Sequence, residues 1–263
     1  MTARKKWTHS ELLILLNVYH KMRFGQMHER NPAIITLAKR FDRTPGSVAM
    51  KLCNLASLDP ALKLRGIKGL SGASKLDEIM WTEFDAYLDE TVPASEEALR
   101  ALVKASEDAE VQIQSKKGIC LVKAPPTGST DVIMNVKARR GQDYFRSAVM
   151  NNFGSRCGVS QIGLPELLIA SHILPWGMYA SERLNVRNGI CLSRLHDAAF
   201  DRGLITFDDD LRLMLSKRLK SELPQRCIED NFVKHESQAL ILPDDAILPD
   251  PVFLAAHRQK WND

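Results

Sequence analysis

Three side chains in the second half of the chain have types and spacing that suit proton transfer or metal binding. His172 stands at the end of an apolar run in ELLIASHILPW (166–176), and Asn188 and His196 follow in LNVRNGICLSRLHDAAFDRG. An imidazole titrates near neutral pH, so a histidine can exchange a proton or bind a metal ion. A lone histidine beside an apolar run is more often structural, whereas the three residues together indicate a site.

The surrounding sequence predicts the elements that position these residues. LLIASHI is typical of one strand and GICLS of a second, and Ser193 is a suitable N-cap for a helix over 194–202 that Gly203 ends. Two strands followed by a helix would place His172 and His196 across a small cleft.

This arrangement resembles the HNH nuclease family, whose ββα-metal fold carries a histidine on the first strand, an asparagine in the turn region and a histidine on the helix. The flanking words RRGQDYFRSAVMNNFGSRCGVS and LHDAAFDRGLITF are similar to the branch of that family found in bacterial restriction-type proteins. The resemblance covers about residues 137–260.

The resemblance implies metal-dependent hydrolysis of phosphodiester bonds in DNA. His172 would take a proton from the attacking water, and His196 would hold a divalent ion. Asn188 would complete the catalytic set by bracing the loop and orienting the strand that carries His172. Mg²⁺ or Mn²⁺ suits such a site, and histidine also tolerates Ni²⁺ or Zn²⁺.

The chain departs from the family pattern at the position before the first histidine. Many family members have an acidic metal ligand there, and this chain has Ser171. Asp201 is a weak substitute, because five residues beyond His196 it points well round the helix, and an ion pair with Arg202 or another structural role is the favoured alternative. The cysteines do not form the pairs of zinc-stapled family members.

Arginines precede the predicted site on a basic segment. Arg139, Arg140, Arg146 and Arg156 would guide a phosphate backbone toward it, or simply keep the surface soluble.

Charge is distributed unevenly along the first half of the chain. Residues 1–75 hold about 14 Lys and Arg against about 4 Asp and Glu, whereas residues 76–114 hold about 2 against about 11. The basic block is typical of a protein that binds a polyanion, although such a block can also be a solvated face. The acidic stretch is expected to face away from nucleic acid or to separate two domains. Residues 94–114 have a polar helical pattern, and GICLVKA (118–124) is typical of a short strand. PPTGST (125–130) predicts a break, after which a strand turns into a basic helix.

The basic block also has a helical pattern. A capping box from Thr8 to Glu11 opens a helix over about 9–22. Two short helices follow, the first from Pro32 to about Phe41 and the second from about Pro45 to Leu55. These two helices resemble a helix-turn-helix of the kind that reads DNA, and small helical domains of this pattern also bind proteins. The DNA-binding residues predicted here are Arg40, Arg43, Thr44, Ser47 and Lys51.

Composition limits the remaining function classes. The chain has 263 residues, 44% of them hydrophobic and 26% charged, which is ordinary for a globular protein. No apolar run reaches the roughly 18 residues of a membrane helix, so we expect a soluble, cytoplasmic protein. Five cysteines without a C-x-x-C pair argue against a disulfide framework and are expected to be reduced and mostly packing residues.

These observations predict an α+β protein with a basic helical DNA-reading domain (1–90), a connector (91–136) and an HNH endonuclease domain (137–263). The expected substrate is double-stranded DNA in a restriction or phage-defence setting, with or without dependence on modified bases. A homodimer is one way to cut both strands. The alternative is a non-catalytic DNA-binding regulator whose HNH fold is degenerate.

Overall fold

The computed structural model describes residues 5–106, 109–114, 116–123 and 136–259. The chain divides into two compact units, residues 1–151 (unit 1) and 152–263 (unit 2). Helices and two-stranded sheets are mixed, in agreement with the predicted α+β class. In the described part of the chain, every helix is too short or too polar to cross a membrane. The predicted limits at 90 and 136 stay a prediction about which parts fold independently.

Unit 1 is mainly helical. Its elements are α1 (His9–His20), α2 (Pro32–Phe41), α3 (Pro45–Ala56), α4 (Pro60–Leu64), α5 (Lys75–Ala86), α6 (Leu88–Val103), β1 (Ala109–Gln114), β2 (Gly118–Lys123) and α7 (Val136–Asn152). Helix α1 packs against α3, α5 and α6. Its apolar stripe, with Leu12, Leu15 and Leu16 fully buried, therefore forms the centre of the unit.

Local capping explains where the first helices begin. The Thr8 hydroxyl accepts from the Glu11 amide while the Glu11 carboxylate accepts from the Thr8 amide, which is the predicted capping box. Thr44 caps α3 in the same way by accepting from the Ser47 amide, with Pro45 in the first turn. Between α2 and α3 the chain reverses at Asp42, which adopts a left-handed conformation with φ of 53°. The three predicted helices of the basic block are confirmed within two residues.

The helical pattern expected over 94–114 is wrong for its last part. Helix α6 ends at Val103, and residues 109–114 form β1, which pairs antiparallel with β2. Val111 and Ile113 are buried on one face and alternate with glutamines. This alternation of apolar and polar residues is typical of a strand, which is the structure that forms here. The turn and strand expected over 125–135 lie outside the described residues.

Unit 2 contains the predicted strand-strand-helix sequence. Its elements are β3 (Leu168–His172), β4 (Gly189–Ser193), α8 (Arg194–Asp201), β5 (Ile205–Phe207), β6 (Leu213–Leu215), α9 (Lys217–Lys220), α10 (Arg226–Asn231) and α11 (Pro251–Gln259). Strands β3 and β4 pair antiparallel, and so do β5 and β6. Helix α8 contacts both strands of the first hairpin, so the hairpin and the helix form one scaffold.

Candidate functional site

The β3–β4 hairpin fixes where the candidate residues lie. Leu168 pairs with Ser193 at one end of the ladder, and His172 pairs with Gly189 at the other. Ser193 then caps α8, because its hydroxyl accepts from the amide of His196 at 3.3 Å. His172 and His196 are therefore attached to opposite ends of the same short hairpin.

The imidazole of His172 is half-buried and held in one orientation. Its Nε2 lies 3.0 Å from the carbonyl oxygen of Arg183, and because a carbonyl only accepts, Nε2 carries the proton. Nδ1 then carries the lone pair. The ring of Trp176 stands edge-on at 5.4 Å between centroids. The Arg183 guanidinium donates to the Trp176 carbonyl at 2.7 Å, which ties these neighbours to each other.

Burial keeps His172 neutral. Desolvation lowers the pKa of this imidazole below its usual value, and the Arg183 carbonyl and the charge of Asp197 oppose that effect without reversing it. At neutral pH the ring is therefore an uncharged base.

Asn188 is completely buried and makes hydrogen bonds across the loop between the strands. Its Oδ1 accepts from the Leu174 amide at 2.7 Å, and its Nδ2 donates to the carbonyls of Glu182 at 3.0 Å and Leu174 at 3.3 Å. The Asn188 carbonyl accepts from the amide of Ile173, the residue after His172. The partners of the Asn188 side chain are backbone groups at the start and in the middle of this loop, and Asn188 itself lies at its end. The side chain therefore ties the two ends of the loop together.

His196 is buried and is hydrogen-bonded at both ring nitrogens. Nε2 donates to the Asn231 carbonyl at 2.8 Å, and Nδ1 lies 2.7 Å from Ser193 Oγ. The ring of Phe232 covers it edge-on at 5.3 Å. With 1% of its surface exposed, this histidine does not present a nitrogen to a bound ion.

Cys157 lies against the same imidazole. Its Sγ is 3.8 Å from Nδ1 of His196 and accepts from the Ser160 amide at 3.4 Å. Although burial raises the pKa of this thiol, hydrogen bonds with His196 and Ser160 lower it to about 6. The sequence predicted a packing role for this cysteine, whereas its contacts make it part of a buried polar cluster.

Asp197 is the residue of this region that sequence reasoning missed. It lies one turn before Asp201 on α8, and its charge acts on both Asp201 and His172. Burial raises the pKa of Asp201, Asp197 raises it further, and Arg202 lowers it. The i, i+4 spacing of two aspartates on a short helix was the available signal. Asp197 is thus a charged neighbour of His172.

The side chains present do not fit the ion that the sequence assigned to His196. Both nitrogens of that imidazole bind the protein, and Ser171 Oγ is buried without a hydrogen-bond partner among the described residues. In the described ranges, no three His, Cys, Asp or Glu side chains form a group that could hold a metal ion. The expected role of His196 as a metal ligand is therefore corrected to a structural one.

Arg43 does not face solvent in unit 1. Its guanidinium pairs with Glu11 at 2.9 Å, donates to the carbonyls of Lys5 and Lys6, and stacks 3.8 Å from the centre of the Trp7 ring. Only 5% of its side chain is exposed. The predicted phosphate contact by Arg43 is thus contradicted, because these groups already occupy its donors.

Lys51 is likewise removed from the predicted DNA-binding set. Its ammonium lies 2.7 and 2.9 Å from the two carboxylate oxygens of Asp77, and both residues are buried. Arg40 and Thr44 are exposed and Ser47 is partly exposed, so these three retain surfaces that a ligand could reach.

Three of the predicted guiding arginines belong to α7, whereas Arg156 follows this helix, is exposed and donates to the Gln161 carbonyl at 3.1 Å. Arg140 is 3% exposed and donates to Glu97 at 3.2 Å, which argues against a phosphate contact there. Arg146 is half-buried, and its charge lowers the pKa of Glu110 against the raising effect of burial. The side chain of Arg139 lies outside the described part of the structure.

Comparison with known proteins bears on unit 2. Residues 157–208 match the family model described as HNH endonuclease. This HNH segment contains β3, β4, α8 and β5, together with His172, Asn188 and His196. No curated protein matches the chain. The match indicates nuclease activity in general, and nucleases with this domain generally use divalent metal ions.

Proposed function

We propose that this chain is a metal-dependent DNA endonuclease that acts in a restriction or phage-defence setting. The observation that carries the proposal is the geometry of His172, a neutral imidazole whose Nε2–H is fixed on the Arg183 carbonyl, within the HNH segment. A histidine held in this tautomer is a suitable general base near neutral pH.

In the proposed reaction, Nδ1 of His172 removes a proton from a water molecule. The water oxygen forms a bond to phosphorus as the bond from phosphorus to the leaving sugar oxygen breaks, and solvent supplies the proton for that oxygen. Trp176 and Arg183 keep the imidazole in place during this step. Asn188 holds the loop that begins directly after His172. Because HNH nucleases generally use divalent ions, cleavage is expected to need one, and no group of described side chains is assigned as its ligands.

Unit 1 is proposed to bind double-stranded DNA through the α2–α3 pair. Arg40, Thr44 and Ser47 remain reachable at this pair, and the left-handed residue at Asp42 provides a tight turn between the helices. In a helix-turn-helix the N-terminal residues of the second helix contact base edges, which here are those near Ser47. Whether recognition requires modified cytosine is a further part of the test.

The test is incubation of supercoiled plasmid with the full chain. One arm adds Mg²⁺, Mn²⁺, Ni²⁺ or Zn²⁺ separately, one adds EDTA, and each uses unmodified and 5-methylcytosine-containing DNA. Nicked or linear product that EDTA abolishes is expected. His172→Ala should lower the rate at least about a hundredfold, the usual scale for losing a general base. His28→Ala is the matched control, because His28 is exposed in unit 1 and lies outside the HNH segment.

Two outcomes would contradict the proposal. Cleavage that survives His172→Ala removes the general base from the mechanism. DNA binding without cleavage under every ion favours the alternative of a non-catalytic regulator.

A further inference from the structure

Unit 1 contains a cavity of about 700 Å³ at the start of α3. Sites for small molecules commonly enclose roughly 300–1,000 Å³, so its size suits one compact ligand. The segment Lys5–Trp7 forms one side, and the first turns of α3 and α5 contribute Ser47 and Ser74. All the residues that line it belong to unit 1.

Lysines line one side of the cavity. They are Lys5, Lys6 and Lys51, and the carboxylate of Glu29 lies beside Gly46 of the same lining. Lys51 is paired with Asp77, and Lys5 lies 4.0 Å from the carboxylate of Asp42. Lys6 is exposed and has no acidic partner among the described residues. An anionic group is therefore the ligand chemistry that this wall favours.

The segment that carries the two lysines is fixed in place by Arg43. The guanidinium donates to the Lys5 carbonyl at 2.9 Å and to the Lys6 carbonyl at 2.7 Å, and Lys5 Nζ donates to the Phe41 carbonyl at 2.6 Å. Arg43 also stacks on Trp7. A predicted DNA contact thus has a different role, which is to hold the cationic and aromatic side of the cavity in one arrangement.

The remaining wall suits a planar, partly apolar group. Trp7, Met50 and Leu76 line the cavity, and Met50 is 51% exposed although it is a large apolar side chain. Asn54 adds an amide that can donate and accept hydrogen bonds. Aromatic side chains and cations together are the usual means of holding a nucleobase and its phosphate.

We propose that this cavity binds a single nucleotide unit, with the phosphate at Lys6 and the base against Trp7 and Met50. The nucleotide comes either from an unpaired position in a DNA strand or from a free mononucleotide. This binding goes beyond the proposed endonuclease function, since it requires no cleavage and uses none of the residues of the HNH segment. Thr44 and Ser47, which are proposed to contact DNA, also line the cavity.

The experiment measures binding to the full chain in EDTA, so that cleavage does not interfere. Calorimetric titration is run with each deoxynucleoside 5′-monophosphate, with the unphosphorylated nucleosides and with inorganic phosphate. Fluorescence polarisation compares a perfect duplex with a duplex of the same sequence that carries one unpaired nucleotide. Saturable binding of a monophosphate that is about tenfold tighter than its nucleoside or phosphate identifies the free source. Preference for the unpaired nucleotide over the perfect duplex identifies the DNA source.

Two variants place the ligand in the cavity. Lys6→Glu should weaken nucleotide binding about tenfold or more, because it reverses a charge at the phosphate. Lys63→Glu changes the net charge equally at an exposed lysine of α4 outside the cavity and should have little effect. Met50→Trp should prevent nucleotide binding, because the larger side chain fills the cavity. Ile79→Trp should leave binding unchanged, because Ile79 lies on α5 outside the cavity and is 50% exposed.

Each outcome has a defined meaning. Absence of saturable binding to every nucleotide and to the unpaired duplex overturns the proposal, and so does equal behaviour of each variant and its control. Plasmid cleavage without nucleotide binding overturns this proposal alone. Nucleotide binding without cleavage leaves it standing and contradicts the endonuclease function.

Discussion

Replacement of Asn188 by alanine should destabilise unit 2 by about 3 kcal/mol, since a buried polar group that loses its partner costs about 1–3 kcal/mol. The substitution removes three hydrogen bonds and leaves the Leu174 amide and the carbonyls of Leu174 and Glu182 without them. The shortest of these bonds, at 2.7 Å to a buried amide, should dominate the loss, and the 3.3 Å bond should contribute least. Thermal unfolding of the full chain should show the transition of unit 2 lowered by about 10 °C.

Asn185→Ala is the matched control. Asn185 caps the short turn before Asn188 by accepting from the Arg187 amide, and its side chain is half-buried. Loss of such a cap costs about 1 kcal/mol, so its effect should be clearly smaller.

Cleavage distinguishes bracing by Asn188 from a direct part in proton transfer. Below its unfolding temperature, Asn188→Ala should cleave more slowly because the loop after His172 loses its support, but the midpoint of its pH profile should not move. An unfolding temperature equal to that of the parent chain would refute the bracing argument. A shifted pH midpoint would assign Asn188 to the proton transfer itself.

Three other substitutions or conditions test the remaining assignments. Cleavage should rise with pH through a midpoint below the usual histidine value of about 6.5, because burial lowers the pKa of His172 and the neutral base persists into mild acid; a midpoint above that value contradicts this. Lys51→Ala should destabilise unit 1 by about 3–5 kcal/mol, because Asp77 is left as an uncompensated buried charge. Weaker DNA binding with unchanged thermal unfolding would instead restore Lys51 as a phosphate contact. His196→Ala should lower the unfolding temperature of unit 2, because the Asn231 carbonyl loses its donor; a higher Mn²⁺ requirement at unchanged stability would restore the metal-ligand role.

The predictable part of the fold depended on local signals. Thr8 with Glu11, and Thr44 with Pro45, specify helix starts within four residues of chain, and the structure begins α1 and α3 there. The strand that ends at His172 was readable for a similar reason, since a short apolar run between turn signals indicates a strand.

What could not be predicted depended on partners distant in sequence. Lys51 pairs with Asp77, which lies 26 residues further along the chain, and His196 binds the carbonyl of Asn231, which lies 35 residues further along. A basic side chain on a helix looks the same in sequence whether it faces solvent or a buried carboxylate. The net charge of the first 75 residues therefore overstated the surface available for phosphate contacts, because Asp77 in the acidic stretch neutralises Lys51.

The buried ion pairs of unit 1 also determine how this protein should respond to ionic strength. At physiological ionic strength the Debye length is about 8 Å, and dissolved ions screen exposed charges far more than buried ones. The pairs Lys51–Asp77 and Lys21–Glu96 have at most 8% of either side chain exposed. Added salt should therefore weaken contacts between this unit and a polyanion while leaving its own fold intact, so that dissociation and unfolding occur in separate ranges of salt concentration.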